Sequence, residues 1–110
     1  MKHSIPKTIP ASTATTLFTV PAGYIAEVYM VFISNTSGST GSCSFKWYWN
    51  GSSINVLNAK SLSNGDYIQF SNGSIIMQAG DRLEFTCSQP MDVIASFDLV
   101  QAPPMYTFTH

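Results

Sequence analysis

Charge is scarce in this 110-residue chain: 10% of its residues are Asp, Glu, Lys or Arg, against about 25% in ordinary soluble domains. The net charge is −1 at pH 7, and the basic residues Lys2, Lys7, Lys46, Lys60 and Arg82 are scattered. A protein held to nucleic acid needs clustered cations to neutralise phosphates, so no nucleic-acid partner is expected. No apolar run approaches the ~18 residues of a membrane-spanning helix, so no membrane partner is expected either. The opening residues Met1-Lys2-His3-Ser4-Ile5-Pro6 lack the apolar stretch of a signal peptide, which suits a chain made in a cytoplasm.

Reactive residues are equally sparse. Cys43 and Cys87 stand far apart with no neighbouring His or second Cys, whereas zinc needs about four ligands at local spacings. They read first as small buried side chains, second as a disulfide, and last as a catalytic thiol. The histidines, His3 and His110, lie near the two ends, poor places for a preorganised base. Phosphate loops and a G-x-S-x-G elbow are absent. Asp66 and Asp81 each follow a Gly in a turn, where Asp bonds nearby backbone N–H groups, and two turn acids fall short of a calcium site. Glu84 and Asp98 belong to outward faces of strands. The expectation is no catalytic residue, no cofactor and no metal: the chain is not an enzyme.

What is abundant is turn chemistry between β-branched and aromatic runs. Asn50-Gly51, Asn64-Gly65 and Asn72-Gly73 are Asn-Gly pairs, the strongest short hairpin signal. Pro21-Ala22-Gly23, residues 35–41, Ala79-Gly80-Asp81 and Gln89-Pro90 supply further breaks. About eight strands are expected, near 15–20, 24–34, 42–49, 53–58, 67–70, 74–78, 82–88 and 92–101. Several alternate with period two: Cys43, Phe45, Trp47 and Trp49 share one face; so do Leu83, Phe85 and Cys87; so do Val93, Ala95, Phe97 and Leu99. This predicts an all-β fold, a single antiparallel β-sandwich of jelly-roll-like form. Three Asn-x-Ser/Thr triplets, at Asn35, Asn50 and Asn72, are not expected to be glycosylated without a signal peptide.

The two ends differ from the middle. Residues 1–12 hold two prolines and little periodicity, and read as an extended arm. Residues 13–101 form the sandwich. Residues 102–110 read as a tail whose Met105, Tyr106 and Phe108 are unusually apolar for a free end. In the arms, Ile5, Pro6, Ile9, Pro10, Met105, Tyr106 and Phe108 are candidate partner contacts.

Residues 24–33, Tyr-Ile-Ala-Glu-Val-Tyr-Met-Val-Phe-Ile, are apolar on both faces of a strand. Either Ile25, Tyr29, Val31 and Ile33 or Tyr24, Val28, Met30 and Phe32 pack the core. The remaining face needs a cover, either a second copy or the chain's own loops or arm, and large exposed apolar patches usually mark contacts. Tyr24, Val28, Tyr29, Met30 and Phe32 are the candidate subunit interface, most simply around a threefold axis. Trp47, Tyr48 and Trp49 are aromatic enough to suggest a sugar-binding platform, but by alternation Trp47 and Trp49 belong to the core, leaving Tyr48 outward beside Lys46.

The order of the pieces "TTLFTVPAGYIAEVYMVFISNTSGSTGSCSFKWYWNG", "IQFSNGSIIMQAGDRLEFTCS" and "DVIASFDLVQ" resembles small virion proteins of tailed bacteriophages. In that group a Pro-Ala-Gly turn leads into a long strand ending in "NTSGS", and an Ala-Gly-Asp turn precedes a later strand. The resemblance covers about residues 15–101. It implies a capsid decoration (cement) protein in the virion, a homotrimer binding the major capsid protein. The alternatives are a minor tail, baseplate or fibre module, or a carbohydrate-binding module.

Overall fold

In the computed structural model, which describes residues 1–71 and 73–102, the described chain is all-β: two antiparallel sheets pack face to face. The strands are β1 (Lys2–Ile9), β2 (Thr15–Thr19), β3 (Tyr24–Ser34), β4 (Gly41–Trp49), β5 (Ser52–Leu62), β6 (Tyr67–Phe70), β7 (Ile75–Met77), β8 (Arg82–Cys87) and β9 (Met91–Gln101). One sheet runs β1-β9-β3-β6, with β7 also pairing β3; the other runs β2-β8-β4-β5.

The turns form where small or amide residues allow positive φ. At Asn50-Gly51 both residues have positive φ (46° and 76°), the geometry of a tight hairpin between β4 and β5. Gly23 (φ 83°) closes the Pro-Ala-Gly turn, where Tyr24 N–H donates to Pro21 O at 3.2 Å. Asn35 follows directly on β3 and is fully buried. Its Nδ2 donates to Ser39 O and Leu62 O, and its Oδ1 accepts from the backbone N–H and hydroxyl of Ser37. The "NTSGS" segment is thus a folded corner with its polar groups paired, as burial demands.

The core follows the alternation read from the sequence. Cys43 and Phe45 of β4, Leu83, Phe85 and Cys87 of β8, and Val93, Ala95 and Phe97 of β9 are buried between the sheets. Phe45 stacks on Phe85 with centroids 4.9 Å apart and meets Phe70 edge-on at 5.6 Å. Phe18 stacks on Phe97 at 4.4 Å. Such ring pairs add about 0.5–1.5 kcal/mol each beyond the area they bury.

Three expectations are corrected. The strands number nine among the described residues rather than about eight. The expected arm is largely a strand: Lys2–Ile9 pairs antiparallel with β9, from Lys2 opposite Asp98 to Ile9 opposite Met91. Ile9 is fully buried and Ile5 packs on the core. Pro6 fits there because β1 is an edge strand, where a missing N–H costs no ladder bond. Finally, Trp49 does not continue the buried row of β4: it is 36% exposed at the sandwich end, and Trp47 is only half-buried against the core.

Candidate functional site

The answer to the two-faced strand lies in a β-bulge. The β3–β9 register runs Val28 opposite Phe97 and then Met30 opposite Ser96, leaving Tyr29 as the extra residue. A bulge of this kind shifts the alternation by one. Before it, Ala26 and Val28 point into the core; after it, Val31 and Ile33 do. Neither sequence-based face packs as a unit. Val28, expected at an interface, is a core residue. Tyr29, Met30 and Phe32 lie on the outer face. Tyr24 sits exposed at the start of β3.

Neighbouring strands extend that outer face into rows. One row reads Pro6, Ile94, Phe32 and Gln69, contributed by β1, β9, β3 and β6. The next reads Ser4, Ser96 and Met30, with Ser4 Oγ and Ser96 Oγ 2.8 Å apart. Tyr67 stacks on Phe32 with centroids 5.3 Å apart, and Lys2 Nζ lies 5.7 Å from the centre of the Tyr29 ring. Largely polar rows flank this band, each ending in an exposed apolar side chain, Ile76 beside Glu27 and Tyr67 beside Ser34. On one side are Lys2, Asp98 and Glu27; on the other are Thr8, Asp92 and Ser34, with Thr8 Oγ1 donating to Asp92 Oδ1 at 2.7 Å. An apolar centre inside a polar rim is the anatomy of an interface.

Beside the bulge, β6 and β7 part along β3. The gap opens a cavity of about 320 Å³ lined by Val28, Met30, Phe45, Phe70 and Ile75 among others. Its volume is enough to hold one large side chain.

Of the other candidate contacts, Ile5 and Ile9 face the core, Pro6 joins the outer face, and Pro10 is exposed just beyond β1. Met105, Tyr106 and Phe108 lie outside the described residues, as does Asn72. The N-terminal amine of Met1 pairs with Asp98 Oδ1 at 2.8 Å, and this bond holds the Asp98 carboxyl below its usual range. Tyr48 donates to Glu84 at 3.2 Å, while the Arg82 guanidinium sits 4.1 Å from the Tyr48 ring centre.

A second concavity, of about 300 Å³, lies at one end of the sandwich between Trp47, Trp49, Asn50, Ile76, Gln78 and Asp81. Sequence reasoning placed both tryptophans in the core because β4 alternates; the signal that could have found them is the Asn50-Gly51 turn next to Trp49, which marks the strand end. Among the described residues, no group of three or more His, Cys, Asp or Glu side chains converges as a metal site. No protein-family model matches the chain, and no curated protein matches it.

Proposed function

We propose that this chain is a non-enzymatic structural protein of a tailed-phage virion, a capsid decoration protein that binds the major capsid protein lattice as a homotrimer. The observation that carries the reading is the outer face of the β1-β9-β3-β6 sheet. Tyr29, Met30, Phe32 and Ile94 are half-buried or exposed there, with an apolar cavity alongside and a polar rim around them. A lattice-binding protein needs a rigid module and an apolar patch that buries on neighbours, and several weak contacts then act together at high effective concentration. We also read the strand orders 1-9-3-6 and 2-8-4-5 as a jelly roll, with β6 and β7 together forming one interrupted strand. That architecture is used by viral capsid proteins, an analogy of fold and not of site.

The test is binding to capsids that lack the protein, scored as copies bound per particle. Stoichiometric binding that falls at least about tenfold in a Phe32→Ser, Ile94→Asp double variant supports the proposal. Binding at a few copies per particle would move the protein to the tail or baseplate. Full occupancy by the double variant would remove the outer face from the contact.

A further inference from the structure

We propose that the pocket between Trp47, Trp49, Asn50, Ile76, Gln78 and Asp81 is a carbohydrate site that holds one pyranose ring. It lies where the end of β4 and its turn into β5 approach β7 and the turn that follows it; it touches the outer face only at Ile76, beside Glu27 in the rim, and does not depend on the reading above.

The pocket is built rather than incidental. Trp47 Nε1–H donates to Asp81 Oδ2 at 3.2 Å, and the Gln78 backbone N–H donates to the same oxygen at 3.0 Å. Asp81 is itself nearly buried and is fixed by its turn: its N–H donates to Gln78 O, and its carbonyl accepts from Val20 N–H. The Trp47 ring is therefore held in one orientation. Trp49 lies 5.6 Å away, inclined at 46°, so the two rings form an open V rather than a stack. Asn50 is pinned by its turn at a φ of 46°.

This set matches the two-sided chemistry of a sugar. A pyranose presents C–H groups on its faces, which pack on indole, and hydroxyls around its edge, which need both donors and acceptors. The indoles and Ile76 supply the apolar wall. Carboxylate oxygens together offer about four acceptor positions, of which the two internal N–H groups take two. The Asn50 side chain is an amide, able to donate and accept at once. The volume of about 300 Å³ accommodates one ring. A purely apolar ligand would cover the remaining acceptor positions of Asp81 without hydrogen-bonding them, which is costly. A quaternary ammonium could also use two indoles and an acid. However, its methyl shell has no use for the Asn50 amide, and the Asp81 charge is already shared with two N–H donors.

The chain's two tryptophans are both in this pocket, so tryptophan fluorescence reads the site alone. The experiment titrates the full chain with methyl glucoside, methyl galactoside, methyl mannoside and N-acetylglucosamine, with choline as the competing class. The expected result is a saturable spectral shift with at least one sugar. Its dissociation constant should be on the order of 1 mM, as befits a ligand of about a dozen heavy atoms. Trp49→Ala should weaken that sugar at least about tenfold, read through the remaining Trp47. Asn50→Gly keeps a residue suited to positive φ while deleting the amide, and should weaken it severalfold with an unchanged melting temperature. Saturation by choline alone, no saturable shift with any sugar, or equal shifts in wild type and both variants would each overturn the assignment.

Discussion

Cys43 and Cys87 face each other across β4 and β8 with their sulfur atoms 2.9 Å apart, both as free thiols buried in the core. Ser88 N–H donates to Ser42 O one step along the ladder, which makes Cys43–Cys87 a non-hydrogen-bonded pair. Such pairs have Cα atoms about 4.5 Å apart, within the range a disulfide spans. The contact between the sulfurs pushes the Cys43 thiol up and brings Cys87 down, with burial adding to the rise at Cys43.

The expected outcome of treatment with diamide is therefore an intramolecular disulfide: each thiol gives up a hydrogen, diamide takes both, and the S–S bond forms. Closing a loop of this length should stabilise the fold by about 4 kcal/mol in the chain-entropy model. Mass spectrometry of the intact chain and a thermal melt check this. Thiols that still react after denaturation of the treated protein would contradict it.

Asn35 is expected to be one of the most sensitive polar positions. Asn35→Ala removes four side-chain hydrogen bonds and leaves the buried Leu62 carbonyl, with part-buried groups of Ser37 and Ser39, without that partner. The cost should be about 2–4 kcal/mol, measured by urea denaturation against an exposed control such as Thr36→Ala. A loss below about 1 kcal/mol would mean that water or a shifted loop replaces the amide.

The bulge at Tyr29 separates two kinds of variant on one strand. Val28→Ala opens space in the core and should cost about 1–3 kcal/mol without altering the protein's mass in solution. Phe32→Ser should cost less stability but lower the mass measured by light scattering if the outer face joins copies. A monomer in both wild type and Phe32→Ser would place any self-assembly on the capsid rather than in solution.

The Met1–Asp98 pair gives a pH signature. The amine lowers the Asp98 carboxyl in the folded chain relative to its unfolded value. Its contribution is therefore complete above the ordinary carboxylate range, about pH 4, and is lost as pH falls through the lower folded value. The pair lies at the surface, where solvent screens it, so the effect is local. The Leu99 amide, which donates to Met1 O at 2.7 Å, is the reporter. Its chemical shift should titrate below pH 4, and Asp98→Asn should abolish that titration.

Much of the fold was legible because turn residues and period-two alternation are local. Asn50-Gly51, Pro21-Ala22-Gly23 and the inward row Val93, Ala95 and Phe97 were all readable from the chain. The bulge was not, because one extra residue at Tyr29 reverses the facing of all that follows, and only the register with β9 reveals it. Nor was β1: Pro6 reads as a strand breaker until the strand is known to lie at an edge. The outer face was half legible. Tyr29, Met30 and Phe32 were named, but their neighbours Pro6, Ile94 and Tyr67 come from distant segments that only pairing assembles.

The pairing of β1 with β9 also sets the order in which the chain can fold. Met1 and Asp98, 97 positions apart, must meet before that sheet gains its outer strand. Contacts of such separation form slowly. Until they do, β9 offers an open ladder that any free β1 can fill, including one from another molecule. At the high local concentrations of an assembling particle, exchange of β1 between copies is the error this topology invites. Pro6 opposes Ile94 and has its missing N–H on the free side of β1, so it leaves that outer edge a poor template for further strands.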